Sequence, residues 1–315
     1  MLRFLSRRLG FMVIALVFVS LLTFTLMHMA PGNFLDAKRI SSGDVSGDEQ
    51  ASVDVIAEME KRYGLDKPLY VQYLTYMKGM ATWDMGPSFQ FPQLHIEEII
   101  EKAFPVSLTL AIFSVALSII IAVPLGILAA VKQNTVWDYL SMFLSMIGNS
   151  IPAYVLAVFL ILLFSLKLHW LPTAGWTEPR HVIMPVLALG LGSVGGIARY
   201  MRTSMVEALR QDYIAAAWAK GGSFTKVVLG HALRNSLIPL ITVVGPQLAR
   251  LMVGTVFIES MFRVPGLGSY FTLAANTRDY PLLMTSSVFF AFVIMAMNLV
   301  VDLMYGFLDP RIRFE

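Results

Sequence analysis

Long apolar stretches constrain this chain more than any other feature of its sequence. A helix needs about 20 apolar residues to cross the hydrocarbon core of a bilayer. Six stretches approach or exceed that length: Leu9–Met29, Phe104–Val131, Tyr139–Leu168, Val182–Ala198, Leu237–Ile258 and Leu282–Leu308. The chain is 57% hydrophobic and only 14% charged, whereas soluble domains carry about 25% charged residues. We therefore predict an all-α integral membrane protein with six transmembrane helices.

The six spans are not expected to be straight or of equal length. The fourth stretch is the shortest and needs its flanking residues to complete a crossing. The second and third exceed the bilayer thickness, which predicts tilt or extension beyond it. Prolines lie inside or near the ends of several spans, at Pro124, Pro152, Pro185, Pro239 and Pro246. Proline removes a backbone donor and bends a helix, so we predict kinked spans.

The distribution of Lys and Arg predicts the orientation in the membrane. Cytoplasmic loops of membrane proteins carry an excess of these residues. One side carries Arg3, Arg7, Arg8, Lys132, Arg199, Arg202, Arg210, Lys220, Lys226, Arg234, Arg311 and Arg313. The opposite short loops carry only Lys167, Arg180, Arg263 and Arg278. Both termini are therefore predicted to be cytoplasmic, and the first apolar run, which lacks an Ala-x-Ala cleavage pattern, is predicted to be a retained span.

The same orientation divides the chain into two predicted parts. Residues 1–102 would form the first span and a small extracytoplasmic helical cap, with helical patterns at Val53–Tyr63 and Pro68–Met80. Residues 103–315 would form a five-helix core whose long cytoplasmic loop covers residues 207–236.

Several function classes lack the sequence features that they require. The net charge of +3 gives no nucleic-acid footprint, and without cysteine there is no thiolate metal site. The sequence contains no G-x-x-x-x-G-K-[ST], no H-E-x-x-H and no G-x-S-x-G. Spans two and three carry no charged side chain between their ends, which disfavours a proton-coupled carrier. We predict a non-enzymatic chain with no catalytic or metal residue and no bound cofactor.

The long cytoplasmic loop reads EALRQDYIAAAWAKGGSFTKVVLGHALRNS. Alanine favours helix strongly, so Asp212–Lys220 is predicted to form a short helix that Gly221 and Gly222 end. Ser223 could then cap a following helix. A short exposed helix with small side chains, flanked by Tyr213 and Trp218, has a shape suited to a partner's groove.

This loop also carries a family resemblance. Ala215-Ala216-Ala217, followed after three residues by Gly221, resembles the E-A-A-x-x-x-G loop of ABC importer permeases. The surrounding runs resemble the B-type permeases of oligopeptide and dipeptide importers: DYIAAAWAKG, HALRNSLIPLIT, VFIESMFRVPGLGSYF, DLMYGFLDPRIRF, APG and YGLDKPLYVQY. Ala215 stands where the general pattern has Glu, and His231 and Arg234 replace its Ile and Pro. These departures suggest the peptide branch of the family.

The resemblance implies a type I ABC importer permease in the cytoplasmic membrane of a prokaryote. It implies three kinds of protein partner besides lipid: a second homologous permease, two cytoplasmic ATPase subunits that hold ATP and Mg²⁺, and an extracytoplasmic peptide-binding protein. The residues expected to couple to the ATPases are Asp212, Tyr213, Ala215, Ala216, Ala217, Lys220 and Gly221. The expected substrate is an oligopeptide; dipeptides, nickel chelates or another small solute are the alternatives. A stand-alone channel or carrier, an intramembrane enzyme and a scaffold are competing classes.

One cation lies near the middle of a predicted span. Arg250 is costly at that depth, which indicates a function by default. Gln247 and Gly254 share its helix face. Two interpretations stay open. These three residues could line the pathway, with Arg250 meeting a peptide carboxylate or backbone carbonyls, or Arg250 could form an internal ion pair or a contact with the partner permease.

Overall fold

The computed structural model describes residues 2–29 and 57–308. Predictions that concern Pro31–Gln50, residues 53–56 of the cap helix, and Arg311 and Arg313 lie outside these residues. The described residues are helical apart from turns, loops and one isolated antiparallel bridge between Pro87 and His95. The predicted all-α class is confirmed.

The helices follow one another along the chain with short connections. A short helix at residues 57–63 precedes α2. The main helices are α1 (Leu2–Met29), α2 (Leu69–Thr82), α3 (Ile96–Val131), α4 (Val136–Ser150), α5 (Ala153–Leu160), α6 (Arg180–Leu209), α7 (Asp212–Ala219), α8 (Leu233–Phe262), α9 (Leu267–Thr277) and α10 (Tyr280–Leu308). Two π-helical segments, Ile161–Lys167 and Lys226–Ala232, continue α5 and precede α8.

Four of these helices are long and apolar enough to cross a membrane by themselves, and six spans result if two bent helix pairs each count as one. That number agrees with the six predicted spans. The fourth predicted span, Val182–Ala198, is extended by its flanking residues as expected, because α6 is 30 residues long and contains Pro185.

The third predicted span, Tyr139–Leu168, is not one continuous helix, which agrees with the predicted kinked spans. Its tilt or extension beyond the bilayer stays a prediction. Helix α4 ends at Ser150 and α5 begins at Ala153, and the pair is bent by 95°. Ile151 has φ −103° and ψ 124°, an extended conformation. A residue before proline is pushed out of the helical region, so Pro152 explains the break.

The described chain divides into two compact units, and residues Pro265–Met295 join Met1–Ser107 in the first. The predicted division at residue 102 stays a prediction. In the first unit, Phe24, Tyr63, Tyr76 and Phe89 form an aromatic cluster. In the same unit, Asp279 is fully buried. Its carboxylate accepts hydrogen bonds from the Ser88 hydroxyl, from the Gln90 amide at 2.9 Å and from the Leu282 amide at 3.1 Å.

In the second unit, α4, α5 and α8 all pack on α6. Glycines permit the closest approaches: a Cβ added at Gly195 would lie 2.8 Å from the carbonyl oxygen of Ser145 on α4. An ion pair also joins these two helices, because Arg202 donates to both carboxylate oxygens of Asp138, at 2.7 and 2.6 Å. The Asp138 side chain is 3% exposed and that of Arg202 is 26% exposed.

Candidate functional site

The loop helix α7 occupies Asp212–Ala219, close to the predicted Asp212–Lys220. Gln211, just before it, is extended, and Asp212 places a carboxylate in its first turn, where the helix dipole favours negative charge. The helix ends as predicted: Gly221 has φ +76° and its amide donates to the Trp218 carbonyl at 2.9 Å. Glycine adopts this φ at no steric cost and most other residues adopt it with strain, so the sharp turn after α7 favours Gly221.

A buried isoleucine fixes α7 to the rest of its unit. Ile214 is 1% exposed and lies in a hydrophobic core with Met205, Val227 and Val228. The sequence analysis did not identify this residue. The signal available to it was that Ile214 is the one branched aliphatic side chain in an alanine-rich helix. Any force applied to α7 would therefore reach α6 and the segment leading to α8 through packed side chains.

The opposite side of α7 is exposed and has small and aromatic side chains. Tyr213, Ala215 and Ala216 are exposed. Ala217 is half-buried and packs against the same core as Ile214. The exposed rings of Trp218 and Phe224 lie 6.4 Å apart between centroids, inclined at 40°. This patch of small side chains beside two aromatic rings is the feature expected of a groove-binding helix.

The chain returns from α7 through a tightly packed turn. A Cβ added at Gly222 would lie 2.8 Å from a methyl carbon of Val227 and 2.9 Å from the Ala217 carbonyl oxygen. Residues Lys226–Ala232 then form a π-helical segment, where the sequence predicted an ordinary helix. Short π segments occur frequently at functional sites. Lys220, Lys226 and Arg234 are exposed around this loop and make it basic.

The mid-span residues form a polar chain across two helices of the second unit. Arg250 on α8 is exposed and donates to the side-chain oxygen of Gln247 at 2.7 Å. The side-chain nitrogen of Gln247 donates to the hydroxyl of Ser193 on α6, which is 6% exposed. Gly254, one turn beyond Arg250, is exposed, and a Cβ there would have no neighbour within 4 Å.

Among the described residues, no carboxylate makes a salt bridge with Arg250. The internal ion pair that the sequence left open therefore has no partner in the described part of the chain. Sequence analysis also missed Ser193, because nothing in the spacing of α6 relates it to a residue on α8.

The cap contains three side chains with metal-ligand chemistry: the ligand atoms of Asp84, His95 and Glu97 lie within 4.8 Å of one another. Their described contacts are structural. Arg62 pairs with Asp84, and this hydrogen bond raises the pKa of Arg62. Glu97 contacts His95 Nδ1 at 3.0 Å and accepts the Met85 amide at 3.2 Å. These contacts join the segments around residues 84 and 96.

Comparison with known proteins gives one family over most of the chain. Residues 122–314 match the binding-protein-dependent transport system inner membrane component, and residues 1–111 match the N-terminal component of the same kind of protein. The dipeptide transport system permease protein DppB of Bacillus subtilis is 40% identical over 315 residues, covering 100% of this chain and 99% of its own length. The oligopeptide transport system permease protein OppB is 37% identical in Haemophilus influenzae and 34% in Escherichia coli, with complete coverage of both chains in each case.

The fold has a counterpart among solved structures. Inward-facing structures of the MetNI methionine ABC transporter match with a TM-score of 0.54 and 17% identity, over 67% of this chain and 96% of that one. At this identity the likeness concerns the fold, and it agrees with the predicted type I permease architecture.

Proposed function

We propose, from the premise that this chain belongs to the family of binding-protein-dependent transport system inner membrane components, that it forms half of the translocation pathway of an ATP-driven peptide importer. The chain is a multi-pass membrane protein, because its family consists of inner membrane components and several of its helices are long and apolar enough to cross a membrane. A dipeptide permease and an oligopeptide permease stand at nearly equal identity, 40% and 37%. Peptides are therefore the proposed substrate class, with oligopeptides the expected members.

The observation that carries the proposal is the construction of α7. Its exposed side presents Ala215 and Ala216 with Tyr213 and Trp218 beside them, while Ile214 holds it to the chain's own core. A helix that is exposed on one side and anchored on the other can transmit a push from a partner to the spans. A stand-alone channel or a scaffold has no use for such a device.

The energy source lies in the partners of this chain under the proposal. The sequence has no phosphate-binding loop, so ATP and Mg²⁺ belong to two cytoplasmic ATPase subunits. This chain would contribute no catalytic residue. A second, homologous permease would complete the pathway, and an extracytoplasmic binding protein would deliver the peptide. Gln247, Arg250 and Gly254 would line the pathway.

The decisive experiment changes α7 without touching its anchor. Ala216→Trp places a large ring on the exposed side, and overpacking of a fitted contact costs about 1–3 kcal/mol. We expect the variant to insert into the membrane normally, to bind the ATPases less tightly and to lose coupling of ATP hydrolysis to peptide uptake. Ala217 is less suitable, because it already packs against the chain's own core.

Gly221 supplies a matched pair of variants. Its Cβ position has no neighbour within 4 Å, so only its φ of +76° resists substitution. Asn tolerates positive φ and β-branched Val does not. Gly221→Val should uncouple transport, and Gly221→Asn should retain most of it. Wild-type uptake and coupled hydrolysis in both Ala216→Trp and Gly221→Val would refute the proposed role of the loop.

The proposed orientation has its own test. The sequence contains no cysteine, so single cysteines report without background. Ser223 and Thr82 are both exposed. In intact cells, an impermeant thiol reagent should label Thr82→Cys and should label Ser223→Cys only after the cells are opened. External labelling at position 223 would reverse the proposed topology.

A further inference from the structure

Arg250 lies far from both ends of helix α8, and its side chain is on the surface of the chain. It is near the middle of the 30 residues of α8, roughly 18 Å along the helix from the C-terminal end at a rise of 1.5 Å per residue. Its side chain is exposed in the chain. A guanidinium at this depth does not face lipid; such residues face a bundle interior or an aqueous cavity. Arg250 therefore faces a polar space or a polar partner.

The charge of Arg250 is not compensated within the described residues. Its described hydrogen bond goes to the neutral amide oxygen of Gln247. A guanidinium has five N–H donors arranged to bind a carboxylate with two parallel hydrogen bonds. One donor is used here, so a bidentate edge is available for an anion.

The guanidinium is also held in place. The Gln247 amide has one orientation that satisfies both neighbours, with its nitrogen toward Ser193 and its oxygen toward Arg250. Ser193 belongs to α6, so Arg250 is aimed by a second helix and not by its own helix alone. Beyond it, the missing side chain of Gly254 leaves open space one turn along the same face.

We propose that Arg250, positioned by Ser193 through Gln247, binds the free C-terminal carboxylate of the peptide in the translocation pathway. This inference rests on the proposed function. Peptides differ in their side chains but share this one terminal anion, so a single fixed cation can serve all of them. Such a site would favour a peptide carboxylate over its uncharged amide.

The test compares import of one peptide with a free C-terminus and the same peptide as its C-terminal amide. The complete complex, with ATPases and binding protein, is reconstituted in liposomes. The binding protein contributes the same factor to every variant, so only the change in the carboxylate-to-amide ratio of kcat/KM reports on this site. Loss of one hydrogen-bonded charge contact should lower the ratio about tenfold.

Two variants remove the available charge in different ways. Arg250→Gln deletes it, and Gln247→Glu retains Arg250 but neutralises it with a carboxylate at i−3. Both should lower the carboxylate-to-amide ratio of kcat/KM about tenfold relative to the wild-type complex, because import of the free peptide loses more than import of the amide. Arg199→Gln removes another exposed cation from α6 and should retain the wild-type ratio.

Ser193 is tested as a positioning residue. Ser193→Ala should raise KM for the free peptide, leave KM for the amide unchanged, and be rescued by Ser193→Thr, which keeps the hydroxyl. An unchanged ratio in Arg250→Gln, or an equal loss of both peptides, overturns the inference. Failure of Arg250→Gln to assemble with the second permease, while Ser193→Ala leaves the ratio intact, also overturns it and assigns Arg250 to that interface. In each of these cases, peptide uptake by the wild-type complex leaves the proposed function standing. A wild-type complex that imports neither peptide overturns both the proposed function and this inference.

Discussion

Two adjacent glycines on α6 should respond in opposite ways to the same substitution. A Cβ at Gly195 would lie 2.8 Å from the Ser145 carbonyl oxygen, 3.2 Å from the Asn149 Cβ and 3.3 Å from the Met146 Cα on α4. A Cβ at Gly196 would meet nothing within 4 Å. Gly195→Ala and Gly196→Ala therefore differ only in contact, since both occupy the interior of one helix.

The size of the difference follows from that geometry. A carbon atom contacts a carbonyl oxygen comfortably from about 3.3 Å, so Gly195→Ala requires α4 and α6 to separate by about 0.5 Å. The obstructing atoms are mostly backbone and cannot rotate away. Overpacking of this kind costs about 1–3 kcal/mol. Both substitutions gain about 1 kcal/mol of helix propensity, which cancels in the comparison. Gly196→Ala should thus be neutral or stabilising, and Gly195→Ala less stable than it by about 2 kcal/mol.

The measurement is the thermal unfolding midpoint of each purified variant in the same detergent. A difference of about 2 kcal/mol should separate the two midpoints by about 5 °C. Gly148 lies on α4 at the same helix crossing, and a Cβ there would lie 2.7 Å from the Leu191 carbonyl carbon. Gly148→Ala should therefore be destabilised at least as much as Gly195→Ala. Equal midpoints for Gly195→Ala and Gly196→Ala would show that these helices do not depend on the close approach.

Three further predictions concern contacts far apart in sequence. A double-mutant cycle of Asp138→Asn and Arg202→Gln should return a coupling free energy of about 2 kcal/mol, below that of a fully buried pair because Arg202 is 26% exposed; a value near zero would contradict a structural role. Asp279→Ala should leave the Ser88 hydroxyl without its acceptor and lower the free energy of unfolding by about 3 kcal/mol. Limited proteolysis near residue 90 should then be faster. An unchanged digestion rate would refute the role of Asp279 in holding this segment. Burial raises the pKa of Tyr63, so above about pH 10 the unfolded chain loses the phenol proton while the folded chain keeps it, and stability should fall. The unfolding midpoint should decline less with pH in Tyr63→Phe than in the wild type. Identical pH profiles for the two would exclude Tyr63 as a cause.

The sequence by itself determined the features that depend on local pattern. Apolar length gave the six spans, because hydrocarbon thickness fixes the number of helical residues that a crossing needs. Alanine content and Gly221 gave the bounds of α7, because helix propensity and positive φ are properties of single residues. The proline in the third stretch was visible too, and so was its tendency to bend a helix.

Only the tertiary structure decided how these elements meet. The 95° turn at Pro152 depends on where α4 and α5 pack against α6. Ile214 became an anchor, and Ser193 a partner of Gln247, through contacts with residues remote in sequence. The same holds for Asp279, which bonds to the segment near Ser88. Periodicity records which face of a helix is apolar, but it does not record which distant helix that face meets, and buried polar groups find their partners only when the helices are assembled.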